Sequence, residues 1–366
     1  MMKAFARLAA AAALLVFTSQ GFADYRVETV AEGLEHPWSV AWLPDGRILV
    51  TERPGRLRVI EDGQLQADPV AGVPQPHVRS QAGLFEVVPA PDFTDSGLLY
   101  LSYASGDSAD NTLRVVRGTL EGNRLEGLEE VFRAQPSRGT SVHYGGRMLF
   151  LPDGTLLITV GDAFDYREQA QNTDNHLGSI VRLNPDGSVP EDNPLLHDRN
   201  ARPEIYSFGH RNIQGLAIDP ETGTVWANEH GPRGGDEINR ILPGANYGWP
   251  AATHGVDYSG ARISPYQELP GMESPLLVWT PATAPSGLAV YRGGRFPDWD
   301  GNLLSGGLVS RAVHRLEADG GQVTEIERLF ESVGSRIRDV RVSPDGAVYL
   351  LTDDARGRLL RVEPDR

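Results

Sequence analysis

The sequence predicts an all-β chain, a six-bladed β-propeller of four-stranded blades, and three observations carry that prediction. One unit recurs: an apolar or alternating strand, a Pro-Asp-Gly-like turn, then a β-rich strand. It is clear at residues 39–52, 147–162 and 340–353, and looser at 85–103, 215–228 and 287–306. Six units at spacings of roughly 45–75 residues suit a propeller with insertions in the longer intervals. The 41 glycines and 26 prolines fall between the short strands rather than in one linker.

Each unit has a local physical basis. In Leu-Pro-Asp-Gly at residues 43–46 and 151–154, and Ser-Pro-Asp-Gly at 343–346, proline presets φ, aspartate caps the turn and glycine accepts positive φ. The alternation at residues 98–103 and 348–351 suits strands packed between neighbouring blades. A β-sandwich or a pair of β-domains is the competing arrangement. Helix is expected at most as a short piece near residues 170–175, and with no low-complexity linker, residues 24–366 read as one domain.

Residues 1–23 read as an export signal. Lys3 and Arg7 precede a short apolar run at residues 8–17, and Gly21-Phe22-Ala23 offers small residues for cleavage. No segment approaches the roughly 20 uninterrupted apolar residues of a membrane span. A periplasmic or secreted protein is therefore expected. The chain has no cysteine, which excludes disulfides, thiolate metal sites and cysteine nucleophiles. Its formal net charge of −15 provides no basic footprint for nucleic acid and suits a host for calcium. A P-loop, a dinucleotide glycine fingerprint, a Gly-x-Ser-x-Gly elbow and a His-Glu-x-x-His pair are all missing.

Four polar clusters remain. In the first, His143 precedes Gly145-Gly146, and the following strand pair ends at Asp162. Asp162 is able to bond one imidazole nitrogen and leave the other as a proton acceptor; the alternative is a surface histidine beside a Gly-Gly turn. In the second, Arg211 and Asn212 stand between glycines and suit a planar ligand with carboxylates and carbonyls, or else a strand-end ion pair. The third runs from Asn228-Glu229-His230-Gly231-Pro232 through Glu237 to Asn246-Tyr247-Gly248-Trp249-Pro250 and Asp257-Tyr258. Its carboxylates and exposed carbonyls suit calcium without the spacing of an EF-hand. In the fourth, Arg336 and Arg338 alternate onto one side of an extended segment, and repel unless an anion or a carboxylate lies between them. A surface ion network is the other reading.

Together, Gly-His-Arg-Asn-Ile-Gln-Gly-Leu, His-Gly-Pro-Arg-Gly-Gly-Asp-Glu-Ile-Asn, Asn-Tyr-Gly-Trp-Pro and Arg-Ile-Arg-Asp, in that order, resemble the soluble glucose/sorbosone dehydrogenase family, the quinoprotein aldose sugar dehydrogenases. The resemblance runs from about residue 36 to 359. It implies pyrroloquinoline quinone over the axial channel, with His143 as general base and Asp162 orienting it. It implies Gln81 beside quinone and sugar, Arg211 and Asn212 on the quinone edge, Arg336 and Arg338 on its carboxylates, and Tyr258 close by. The carbonyls of Gly231 and Pro232 would ligate a calcium that touches the cofactor. Glu237, the Tyr247 carbonyl and Asp257 would form a second, structural calcium site. The implied reaction removes the proton of the anomeric hydroxyl at His143 and passes hydride from C1 of an aldose to the quinone, yielding a lactone; an external electron acceptor then reoxidises the cofactor. Three departures from the family pattern stand out: Val142, Val309 in place of a cofactor-contacting lysine, and the run after Gln81, altered at both Ala82 and Phe85. Arg311 is expected to compensate for Val309. A calcium-dependent lactonase-like hydrolase and a non-catalytic sugar-binding propeller are the competing functions; the first has no cofactor carboxylates to hold, and the second has no need of a His143–Asp162 pair.

Overall fold

Each of the six repeats folds as the first two strands of a four-stranded antiparallel sheet. The structure, a computed structural model, describes residues 25–365; the export signal expected over residues 1–23 lies outside them. The first blade holds Pro37–Trp42, Ile48–Glu52, Arg56–Glu61 and Gln64–Leu65, and the second Leu84–Pro89, Leu98–Gly106, Asn111–Glu121 and Arg124–Arg133. The third holds Gly145–Phe150, Leu156–Val160, Ser179–Leu183 and Ile205–Phe208, and the fourth Ile213–Ile218, Val225–Glu229, Asp236–Ile241 and Leu277–Trp279. The fifth holds Pro285–Val290, Leu303–Gly307, Val313–Asp319 and Gln322–Leu329. The sixth takes Ile337–Val342, Val348–Thr352 and Gly357–Pro364 from the end of the chain, and its outer strand, Tyr25–Leu34, from the beginning. That last pairing ties the ring shut.

The predicted turns form as their residues require. The Leu43 N–H donates to the Arg47 carbonyl at 2.8 Å, Asp45 Oδ1 accepts the Arg47 N–H at 3.0 Å, and Gly46 sits at φ 93°. Helix among the described residues is confined to one α-turn, Phe93–Ser96, and three 3-10 turns. The short helix expected near residues 170–175 is instead the 3-10 turn Arg167–Gln171, and among the described residues no helix is long and apolar enough to cross a membrane.

Six apolar clusters hold the ring together, each lying between two neighbouring blades. Leu49 and Leu57 of the first blade pack with Leu84 and Leu101 of the second, and Val50 and Ile60 of the first pack with Leu351 and Leu359 of the sixth. The other four interfaces repeat this arrangement. Burial of apolar area therefore stabilises the ring as a whole, since every blade supplies half of two cores.

The pairing of the first two strands slips at the start of every blade, between Pro37 and Ser39, Leu84 and Val87, Gly145 and Met148, Ile213 and Gly215, Pro285 and Leu288, and Ile337 and Asp339. A bulge leaves residues unpaired and bends the strand, which re-aims their side chains. Here the residues released include Trp38, Glu86, Arg147, Gln214 and Arg338, all directed at the axis.

Some of these side chains close the channel as a neutral charge cluster. The Arg147 guanidinium, fully buried, lies 3.0 Å from Asp339 and 3.3 Å from Glu86, and 4.0 Å over the Trp38 ring. Its Nε donates to the Gln214 carbonyl at 2.6 Å. Arg341 bonds the same two carboxylates. Two cations face two anions, so no net charge is buried. Replacing Arg147 with alanine strands both carboxylates in the interior; Arg147→Ala is expected to lower the unfolding free energy by about 3–5 kcal/mol, measured by urea denaturation.

Candidate active site

Above that neutral layer, at the end where the first strands begin, opens an axial cavity of about 430 Å³. Trp38, Gln81, Asn212, Gln214, Arg336 and Arg338 contribute to its wall, drawn from four segments of sequence. His143 stands at its edge, on the turn entering Gly145–Phe150. Its backbone is left-handed at φ 53°, and its N–H donates to Gln81 Oε1 at 2.8 Å. Gly161 is required opposite it, because a Cβ there would lie 2.2 Å from the His143 carbonyl oxygen. Far from a surface residue, His143 is buried, 5% exposed.

Asp162 is the node of this site. Its Oδ1 accepts the His143 Nδ1–H at 2.7 Å and the Phe164 N–H at 2.9 Å, and its Oδ2 accepts the Trp249 Nε1–H at 2.8 Å. Burial disfavours the charge on Asp162, but the bond to His143, with Arg211 and the Phe164 amide, outweighs it and holds the carboxyl below its usual range. Burial also lowers His143 below its ordinary value, against the pull of Asp162, and the nearby Arg211 and Arg138 add to the lowering. At neutral pH the pair is therefore a carboxylate and a neutral imidazole protonated at Nδ1, leaving the lone pair on Nε2. Phe164 sets its ring edge 5.3 Å from the imidazole and stacks 6.2 Å from Tyr258, which is 59% exposed.

Arg211 and Asn212 extend the site. The Arg211 N–H donates to Glu229 at 2.6 Å, and its Nη1 reaches the carbonyls of His230 at 3.0 Å and Gly231 at 2.6 Å. Its Nε is buried without a partner. Asn212 Oδ1 accepts the Gly145 N–H at 3.2 Å. Arg211 also borders a second cavity of about 280 Å³, with Phe164, Trp249, Pro232, Asp257 and Tyr258. Arg336 and Arg338 do face one side, and the carboxylate between them is Asp353, 2.7 Å from Arg338 and 3.5 Å from Arg336.

The expected metal ligands divide. The Gly231 carbonyl already faces a cation, Arg211, and the loop is held by Asp236, whose Oδ1 accepts the Gly231 N–H at 2.8 Å. Main-chain oxygens at Gly231 and Pro232 suit calcium in kind, with the remaining ligands left to the cofactor. Glu237 lies beside Glu229, and burial, with that neighbouring charge, pushes it up to about 8. The side-chain oxygen of nearby Asn239 is buried and unpartnered, so a cation there would satisfy both groups. The Tyr247 ring stacks 4.4 Å from His210, which itself bonds Glu229 at 2.9 Å.

Asp257 corrects the expectation that it joins Glu237. A backbone bridge between Arg233 and Val256 carries it to the rim, where it pairs with Arg167 at 3.1 Å. Among the described residues, no group of three or more histidines and carboxylates is placed to hold a metal. Arg311 is also corrected: it reaches the Gly334 carbonyl at 3.4 Å and does not border the axial cavity, whereas the exposed Val309 does.

Trp249, Phe164, Asp353 and Arg53 belong to the site without having been singled out. Asp162 and Asp353 both stand just beyond the second strand of a repeat, and Arg53 does so in the first. That shared register is the sequence signal for Asp353 and Arg53; Trp249 and Phe164 carry none.

Residues 34–361 match the family model described as Glucose / Sorbosone dehydrogenase. The aldose sugar dehydrogenase YliI of Escherichia coli is 42% identical, over 93% of this chain and 94% of its own. The apo crystal structure of the soluble aldose sugar dehydrogenase from Escherichia coli superposes with a TM-score of 0.90 at 41% identity, over 93% of this chain and 100% of that one. The PQQ-bound aldose sugar dehydrogenase of Streptomyces coelicolor gives 0.75 at 28% identity, over 93% and 99%.

The Trp249 contact predicts a measurable shift. In cofactor-free protein the His143 imidazole, followed by NMR, is expected to titrate below its ordinary 6.5. Trp249→Phe removes one donor from Asp162, strengthens that carboxylate as a partner for imidazolium, and should move the midpoint upward. An unmoved midpoint would show that Trp249 does not act on the pair.

Proposed function

Because the chain belongs to the glucose/sorbosone dehydrogenase family, we propose that it is an aldose sugar dehydrogenase that oxidises the anomeric carbon to a lactone, using bound pyrroloquinoline quinone and calcium. The observation that carries this reading is a buried imidazole, its tautomer set by a carboxylate, beside an axial cavity rich in guanidinium groups. The PQQ-bound Streptomyces coelicolor relative supports the choice of cofactor.

The residues then take distinct roles. Arg336 and Arg338 hold cofactor carboxylates, Arg211 and Asn212 meet the quinone edge, and the carbonyls of Gly231 and Pro232 serve calcium. Tyr258 covers the open side, and Glu237 with the Tyr247 carbonyl takes a second, structural cation. Bound quinone with its calcium supplies a two-electron acceptor for hydride from C1. His143 Nε2 takes the proton of the anomeric hydroxyl, and Asp162 stabilises the imidazolium that results. Gln81 commits its oxygen to the His143 N–H and keeps its amide N–H groups for the sugar. An external acceptor removes the electrons. The chain works in the periplasm or outside the cell after residues 1–23 are removed. An excess of cations around the cavity disfavours a hydrolase, which has no carboxylated cofactor to grip.

Reconstitution tests this. Metal-free protein is given quinone, calcium, or both, and aldose-dependent dye reduction is measured; activity is expected only with both, and activity indifferent to quinone rejects the reading. His143→Ala should lose about 10²–10⁴-fold in turnover while quinone still binds. With the imidazole held low, kcat/KM should fall on the acid side only below pH 6.5, because the neutral form is the base.

A further inference from the structure

The axial cavity has a third guanidinium group, that of Arg53. Arg53 follows the strand Ile48–Glu52 and is held between blades: its N–H donates to the His36 carbonyl at 3.0 Å, and its carbonyl accepts the Leu84 N–H at 2.9 Å. A Cβ at Gly83 would fall 2.4 Å from Arg53 Cγ, so this glycine leaves room for the Arg53 stem to run toward the axis. At its tip one N–H bonds the Ser80 carbonyl.

Charge counting makes this residue unusual. The charged side chains bordering the cavity are Arg53, Arg336, Arg338 and Asp353. Asp353 is already engaged by Arg338 at 2.7 Å and by Arg336 at 3.5 Å. Arg53 makes no ion pair within 4.0 Å among the described residues. Its wall mates Leu308 and Val309 bring no charge. Burial lowers its pKa, and Arg338 lowers it further against the pull of Asp353. In the layer just below, two arginines are matched by two carboxylates. An uncompensated cation facing a cavity in a chain of net charge −15 is poised for an anionic ligand.

We propose that Arg53 is a third anchoring cation of the axial site, which binds a carboxylate of the ligand beside Arg336 and Arg338. This rests on the reading that the ligand is the tricarboxylated quinone. A carboxylate bonded to Arg53 gives the guanidinium the counter-charge that the protein withholds, and the ligand's other carboxylates share Arg336 and Arg338 with Asp353.

The test compares wild type, Arg53→Gln and Arg53→Lys in two assays without turnover. Equilibrium dialysis with pyrroloquinoline quinone and calcium should show affinity falling about 10- to 100-fold in Arg53→Gln, with most of it restored in Arg53→Lys, and a weaker salt dependence in Arg53→Gln. The melting temperature of quinone-free protein should hold or rise in Arg53→Gln, since repulsion is relieved. Benzene-1,3,5-tricarboxylate, a probe with carboxylates and no quinone, should raise the melting temperature of wild type and Arg53→Lys more than that of Arg53→Gln. Equal quinone affinity in wild type and Arg53→Gln overturns the proposal and leaves the quinone reading intact. A lowered melting temperature in both variants, with tricarboxylate protection unchanged, also overturns it and makes Arg53 a clip on the Ser80 loop. If wild type binds no quinone yet the tricarboxylate protects it through Arg53, the anion site stands and the dehydrogenase reading falls.

Discussion

Charge balance along the propeller axis is the constraint on which the rest depends. A closed ring of six sheets directs the opening residues of six strands at one line, and polar side chains that converge there lose most of their water. The lower layer answers this internally, with Arg147 and Arg341 set against Glu86 and Asp339. The upper layer does not, since Asp353 is the one carboxylate bordering the cavity, is taken by Arg336 and Arg338, and leaves Arg53 unpaired. The difference between the layers separates a structural plug from a binding site. Gln214 and Arg338 belong to both, because Arg147 bonds their carbonyls while their side chains reach the cavity.

The base depends on a related economy of hydrogen bonds. Asp162 is wholly buried and remains ionised because three donors from three segments converge on it. One is the imidazole it orients. Another is the amide of Phe164, whose ring borders that imidazole, and the third is Trp249 from the insertion of the next blade. The Arg211 guanidinium lies 5.3 Å over the Trp249 ring, so the group that positions the base also borders the cation expected at the quinone edge. Site geometry here is a property of the interface between the third and fourth blades, more than of either sheet.

Much of this was legible in sequence. The repeat with its Pro-Asp-Gly turns marked the first two strands of all six blades, because turn chemistry and alternation are local. The outer strands carry a weaker signal: Gln64–Leu65 is two residues long, and the sixth blade takes its outer strand from the far end of the chain. Among site residues, His143 with Asp162 and Arg336 with Arg338 were recoverable because each pair spans one or two strands of a single repeat. The grouping of Glu237 with Asp257 failed because a bridge fifteen residues beyond the end of the strand, at Val256, carries Asp257 elsewhere.

What the sequence by itself determined is the fold class, the number of blades, the family and the residue types that carry the chemistry, all of which follow from local periodicity and short motifs. Tertiary structure alone decided which charges meet. The repeat register sets Arg53 just beyond the second strand, like Asp162 and Asp353, but nothing in Thr-Glu-Arg-Pro at residues 51–54 shows that it lacks a counter-charge, and nothing in Asn-Tyr-Gly-Trp-Pro assigns Trp249 to Asp162. Those partnerships arise only when bulges at the strand entrances and closure of the ring bring residues hundreds of positions apart to one axis. There, loss of water makes each unmatched charge count.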